Sequence, residues 1–372
     1  MTTVLGQSTT RVANAIADIA AGRPVLVIDD KSRENEGDLI FAAELASPDL
    51  VAFMVRFTSG YVCVSLPGDD ADRLDLPPMY RTNQDRRGTA YAVAVSARVG
   101  VTNGVSAADR ARTIRLLADP QATPEDFVRP GRVVPLRARP GGVLRRPGHT
   151  EAAADLAALA GLRPIAALCE VVSAVDPSTM ARGSELEVFA SQHGITLITI
   201  AELMAYRLRH GSLIRRTQAL PTSARGTTFR SIGFRTDLDD AEHLALVLGD
   251  VAGAPNLPVY VHSSCRRSEV VGSSSCGCHD RLDSAFDAIV RAGRGVVVYL
   301  DDRTDSLTAS MGSCHGAARS DADVWIAGHI LRDLGVHSPR TIEDDEALCA
   351  VLEQLGRMHR GWQPRSGDPN PW

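Results

Sequence analysis

An α+β fold in two domains is what the sequence predicts, on three observations. Short apolar runs alternate with stretches of helical spacing along most of the chain, the signature of strands exchanging with helices. The 372 residues suffice for two domains of ordinary size. A polar segment at 211–228, carrying Gly211, Pro221 and Gly226, separates two such series and reads as a linker. The expected division is 1–210, a linker at 211–228, and 229–372.

Each element has its own warrant. Residues 12–21 form an amphipathic helix closed by Gly22. The run at 24–30 is a buried strand that ends on Asp29 and Asp30. Helical spacing over 45–57 precedes alternation over 61–66 and 89–97, then helical spacing returns at 107–117. Five prolines and three glycines in 120–142 predict a long structured loop. Helices follow at 151–161, 185–194 and 201–210, with strands at 165–172 and 195–200. Beyond 228, strands are expected at 229–235, 259–262 and 296–300, and helices at 239–248, 281–292 and 324–334. The acidic, aperiodic 301–320 reads as a mobile loop.

Composition excludes several classes. The apolar share of 44% and charged share of 23% fit a globular chain rather than a disordered one. No apolar run approaches the roughly 20 residues of a membrane span, and no signal-like segment opens the chain, so a cytoplasmic protein is expected. A net charge of −5 argues against nucleic acid as a partner. Of the 40 basic residues only Lys31 is lysine, which reads as codon bias before it reads as anion recognition. Seven cysteines in such a chain suggest metal rather than a disulfide framework.

The densest chemistry lies in DDKSRENEGDLI at 29–40. In an extended segment Glu34, Glu36 and Asp38 share one face while Arg33 and Asn35 take the other. Such carboxylates repel unless a cation or a proton intervenes, and hard oxygens favour Mg²⁺ or Mn²⁺. The plain alternative is a solvated charged loop. RPGGVLRRPGHTE at 139–151 gathers Arg145, Arg146, His149, Thr150 and Glu151, donors suited to a phosphate. Its plain alternative is a surface turn with Thr150 as helix N-cap. Glu170 closes the apolar run IAALCE, an expensive place for a carboxylate without a partner. In the second half Cys265, Cys276 and Cys278 could form a three-thiolate zinc site, whereas Cys63, Cys169 and Cys349 lie in apolar runs and read as core. Cys314 beside His315 stays ambiguous.

Residues 10–208, through DDKSRENEGDLIFAAE, TSGYVCV, RGTAYAV, GVSAADRARTI, DFVRPGRVVPLRARPGGVLRRPGHTEAA and LAGLRPIAALCE, resemble the 3,4-dihydroxy-2-butanone 4-phosphate synthases. The resemblance implies an α+β homodimer with sites at the subunit interface. It also implies conversion of the sugar phosphate ribulose 5-phosphate to the four-carbon phosphate and formate with Mg²⁺. Carried over, Glu34 and His149 match metal ligands, and Arg33, Asp38 and the run Arg146, Gly148, His149, Thr150 match substrate contacts. Glu170 matches an essential acid–base carboxylate, and Glu36 and Asp38 manage hydroxyls. Arg132 stands where the family has an essential histidine, so that catalytic position carries a fixed charge. Phe57 also replaces a usual histidine, and Asn103 interrupts a usual GVTTG. The second half resembles GTP cyclohydrolase II through the cysteine spacing, FRSIGFRTDLDDAEHLALVLGDV and GRGVVVYL. That family's RGxEGRGIGL segment falls on 301–310, its LRDYG segment on 321–325 with Ala322 at the catalytic arginine, and its LTNNP segment on IEDDE at 342–346, so a degenerate cyclohydrolase domain is expected. A diverged paralogue acting on a related sugar phosphate, or a non-catalytic scaffold, are the competing readings.

Overall fold

The computed structural model describes residues 2–211, 213–236, 238–239, 241–269, 272–273, 276–301, 320–343 and 345–357. The chain divides into two compact units, 1–207 and 208–372.

In the first unit seven strands form one mixed sheet in the order β4-β5-β3-β6-β2-β1-β7. They are β1 (Val25–Ile28), β2 (Gly37–Ala42), β3 (Cys63–Leu66), β4 (Val95–Ala97), β5 (Phe127–Arg137), β6 (Ala166–Glu170) and β7 (Thr196–Thr199). Helices cover both faces, so the central strands read as apolar runs instead of alternating with polar residues. Leu26, Leu39 and Phe41 pack toward α2 (Pro48–Phe57), α4 (Ala107–Ala118) and α6 (Ser184–His193). Val25, Val27, Ile40 and Ala42 point the other way, toward α1 (Thr2–Ala20), α5 (His149–Leu159) and α7 (Ile200–His210). The short α3 (Gly68–Arg73) follows β3. Ser47 starts α2 by accepting the Leu50 N–H at 3.1 Å, and Ser106 does the same for α4 with Asp109.

The proline-rich 120–142 is not a loop but contains the eleven-residue β5. Val133, Val134 and Leu136 are buried there, and Pro135 pairs with Val64 of the parallel neighbour β3. Gly131 is required by the approach of β4: a Cβ at 131 would lie 1.8 Å from the Val95 carbonyl carbon. The residues that suggested a loop therefore shape a strand crossing. Of the predicted strand 89–97, only Val95–Ala97 is regular.

The second unit carries a six-stranded sheet in the order β13-β11-β12-β10-β9-β8. Its strands are β8 (Ile214–Ala224), β9 (Thr227–Thr236), β10 (Glu242–Leu248), β11 (Leu257–Ser263), β12 (Gly295–Leu300) and β13 (Pro339–Thr341). Along β12, Val296, Val298 and Leu300 face α10 (Asp321–Asp333) and α11 (Glu346–Arg357), while Val297 faces α9 (Cys278–Ala292). Two expectations fail here. The supposed linker 211–228 is mostly β8, an edge strand hydrogen-bonded along β9; its polar composition reflects an exposed edge. The supposed helix 239–248 is β10, held between β9 and β12 with His243, Ala245 and Val247 buried at period two. Pairing on both sides overrides the helical preference of Glu, Ala and Leu. The loop expected over 301–320 lies almost wholly outside the described residues.

Candidate active site and candidate metal centre

One cavity of about 210 Å³ in the first unit collects the charged residues singled out above. Its lining includes Arg33, Glu34, Glu36, Asp38, Arg146, His149, Thr150 and Glu170. The sheet explains the meeting. Antiparallel pairing of β2 with β6 sets Asp38 opposite Glu170, at adjoining strand ends. Helix α5 then begins at His149, so Arg146 and Thr150 arrive at its N-terminus, where free N–H groups favour an anion.

Glu34 is not part of the extended face predicted for it. It sits in a turn before β2, with Asn35 at φ 55°, and Arg33 points into the same cavity instead of away. Asp29 builds that turn. Its Oδ1 accepts the Glu36 N–H at 2.9 Å, and its Oδ2 accepts the Glu34 N–H at 3.0 Å and Arg33 Nη1 at 2.9 Å. Arg33 also donates to Glu34 Oε2 at 2.8 Å.

Electrostatics divide the carboxylates. Burial, then repulsion by Glu170, Glu34 and Asp29, pushes the Asp38 carboxyl well above its ordinary range. Burial also raises Glu36, against the pull of Arg182. Glu170 accepts from Ser59 Oγ at 2.9 Å. His149 is buried and pushed down to about 4, chiefly by desolvation. Its Nε2 lies 3.1 Å from the Val27 carbonyl, which can only accept, so Nε2 bears the proton and Nδ1 keeps its lone pair. That lone pair faces Asp38 Oδ1 at 3.5 Å, and this oxygen has no hydrogen-bond partner. Ligand atoms of Asp29, Glu34 and His149 lie within 4.8 Å of one another. Carboxylate oxygens with an imidazole lone pair and an orphaned buried oxygen fit a divalent cation.

Arg146 is locked by a buried carboxylate. Its Nη1 donates to Glu151 Oε2 at 2.6 Å and its Nη2 to Thr89 Oγ1 at 2.9 Å. Gly148 is the N-cap of α5, and a Cβ there would meet Arg146 Nη1 at 2.5 Å. Gly148 thus admits the guanidinium without lining the cavity. Thr150 is the second helical residue, not the cap.

In the second unit Cys265, Cys276 and Cys278 converge, their sulfurs within 4.8 Å of one another. Cys265 Sγ and Cys276 Sγ are 3.7 Å apart, and Arg281 Nη2 donates to Cys278 Sγ at 3.3 Å. Cys265 precedes the short α8 (Arg266–Glu269), and Cys278 opens α9. Three sulfurs so gathered are a donor set that fits zinc.

Residues 13–206 match the family model of 3,4-dihydroxy-2-butanone 4-phosphate synthase, and residues 214–356 match that of GTP cyclohydrolase II. The chain belongs to the 3,4-dihydroxy-2-butanone 4-phosphate synthase family. Its second unit is a GTP cyclohydrolase II domain. The riboflavin biosynthesis protein RibBA of Salinispora arenicola is 51% identical over 97% of this chain and 90% of its own length. RibBA of Mycobacterium tuberculosis is 49% identical over 93% of this chain and 86% of its own. Among solved structures, RibBX of A. baumannii, described as a two domain 3,4-dihydroxy-2-butanone 4-phosphate synthase, covers 90% of this chain and 94% of its own. It does so at 34% identity with a TM-score of 0.66. A 3,4-dihydroxy-2-butanone 4-phosphate synthase in complex with two magnesium ions covers 54% of this chain and 97% of its own, at 44% identity and TM-score 0.52.

Within the synthase domain the predicted catalytic Arg132 is not in the cavity. It is exposed on β5, its backbone N–H donating to Ser96 Oγ at 3.0 Å. Phe57 is also elsewhere, among Phe53, Phe189 and His193. The sequence reading overlooked Asp29, Asp85, Arg87, Thr89 and Tyr91. Arg87, Thr89 and Tyr91 stood in the RGTAYAV stretch, and the acid ending β1 was the available signal for Asp29. Cys63, read as core, is buried but borders the cavity. Cys349 is exposed: it falls beside, not on, the α11 stripe of Leu348, Val351 and Leu355. No helix among the described residues is long and apolar enough to cross a membrane.

Proposed function

We propose that the synthase domain converts ribulose 5-phosphate to 3,4-dihydroxy-2-butanone 4-phosphate and formate, with Mg²⁺ or Mn²⁺. The observation that carries this is a single cavity holding five acids, a neutral histidine and a buried arginine at a helix N-terminus. Arg146, Thr150 and the first N–H groups of α5 take the phosphate. Glu34 and His149 hold the cation, with Asp29 maintaining the turn that presents Glu34. A divalent cation supplies Lewis acidity toward the sugar's ketone and hydroxyl oxygens. Asp38, kept protonated by burial and its acidic neighbours, donates to a substrate hydroxyl, and Glu36 with Arg33 orients the others. Glu170, steadied by Ser59, accepts and returns the carbon-bound proton. The family likeness further supports a homodimer, in which the exposed Arg132 is available to act across subunits. Its guanidinium cannot shuttle protons at neutral pH, so turnover is impaired or redirected.

The cyclohydrolase domain, in this reading, holds zinc through Cys265, Cys276 and Cys278 and does not open GTP. Ala322 in place of the family arginine is exposed in the first turn of α10; the acids at 302, 305 and 344 lie outside the described residues. RibBX, described by the synthase activity alone, is a precedent for two domains with one stated reaction. The deciding experiment supplies ribulose 5-phosphate and, separately, GTP to the purified full chain. Formate with the four-carbon phosphate from the sugar supports the proposal. No sugar turnover at any divalent metal, or pyrophosphate from GTP abolished by Cys276→Ser, overturns the corresponding half.

A further inference from the structure

One carboxylate beside the cysteines ties three separate segments together. Glu269 ends α8, four residues after Cys265. Its Oε1 accepts the Cys265 backbone N–H at 3.1 Å and lies 2.8 Å from His262 Nε2. Its Oε2 accepts the Tyr299 hydroxyl. Glu269 thus gathers three donors, the Cys265 amide, the Tyr299 hydroxyl and the His262 Nε2–H. The two side-chain donors arrive together for a topological reason. His262 and Tyr299 are register partners on the parallel strands β11 and β12, with rings stacked 5.6 Å apart. Nearby, the Ser264 N–H donates to the Leu300 carbonyl at 2.8 Å, and the Ser268 and Glu269 N–H groups donate to the Cys265 carbonyl. The turn bearing the first cysteine is therefore laced to the end of the sheet through the Glu269 side chain and the Ser264 amide.

We propose that Glu269, held by His262 and Tyr299, is a positioning residue that fixes Cys265 for metal binding by the cysteine trio. The proposal rests on the zinc reading of Cys265, Cys276 and Cys278. Partners one step behind a ligand commonly govern 10–100-fold of metal affinity, because they orient the ligand before the ion arrives. A carboxylate that grips a ligand's own backbone amide acts in the same way on a thiolate.

The test measures zinc affinity of the full chain by chelator competition, and the thiolate-to-metal charge-transfer band after Co²⁺ substitution. Glu269→Ala should weaken zinc by about 10–100-fold and alter the cobalt spectrum. Glu269→Gln keeps an oxygen for the Cys265 amide and should recover all but a few-fold of that loss. Tyr299→Phe removes a single donor and should weaken zinc a few-fold, which keeps the idea testable if the alanine variant does not fold. Parental affinity and an unchanged cobalt spectrum in folded Glu269→Ala and Tyr299→Phe overturn the positioning role. Parental zinc content in Cys276→Ser overturns the cysteine reading itself, and the proposal with it.

Discussion

The two candidate sites are assembled in opposite ways. The cysteine centre is drawn from 265–278, with its ligands on a turn and on the first residue of α9. The synthase cavity draws on a turn after β1, on the 85–91 segment, on the N-terminus of α5 and on the end of β6. A local site is specified by spacing, so a motif suffices to find it. A dispersed site is specified by sheet register, and its residues have no fixed spacing to detect. The difference extends to electrostatics. Burial and acids from other segments push Asp38 up, whereas burial pushes His149 down against the pull of Asp29.

The contrast can be tested most severely at the dispersed site. Glu170→Gln should lower formate release from ribulose 5-phosphate by about 10²–10⁴-fold, the usual reach of a lost acid–base group. Zinc content should be unaffected, measured by elemental analysis of the same sample; a simultaneous loss would mean that one perturbation reaches both sites. In the converse experiment Cys276→Ser should remove the zinc, expected at about one ion per chain from a three-thiolate site, while sugar turnover stays within about twofold. Next in size, Glu34→Ala and His149→Ala should each weaken Mg²⁺ or Mn²⁺ binding by about tenfold or more in calorimetry. Undiminished binding in both would remove the cation from this cavity.

Restoring the titratable group is expected to have a smaller effect. Arg132→His should raise synthase turnover by about tenfold, at the low end of acid–base contributions. Unchanged rates would show that this position does not limit the reaction. The smallest effect is on stability. The folded His149 value of about 4 lies below the ordinary imidazole value, so the unfolded chain binds the additional proton between them. Its contribution is intact above about pH 6.5 and shrinks as pH falls toward 4. His149→Asn should therefore flatten the fall in melting temperature over that interval relative to the parent chain, and an unaltered slope would contradict neutral burial.

Legibility followed the same division. Both elements and chemistry were readable where the pattern was local: the β1 run ending in acids, the Ala-rich α5, the cysteine spacing. The failures were tertiary. Pro130, Pro135 and Gly131 argued for a loop, yet β3 pairs along the segment and only glycine admits β4 beside it. The 239–248 stretch has helical composition, but lies between two strands that claim its backbone hydrogen bonds. Glu34 was placed by alternation on a strand that had not yet begun. Asp29 bends the chain there by capturing two backbone N–H groups and Arg33.

By itself the sequence determined the residue types each site has to work with: hard oxygens and arginines in the first half, clustered thiols in the second. It also determined the two-domain α+β class, because apolar periodicity is a property of neighbouring residues. Only the tertiary structure decided which acid is pushed furthest above its ordinary range. Asp38 and Glu36 are equivalent as letters two apart, and both are raised. Asp38 alone is fully enclosed, opposite Glu170 across the β2–β6 pair and facing the lone pair of His149. Protonation is set by desolvation and by charges brought near through folding, and neither quantity exists until distant strands are in register.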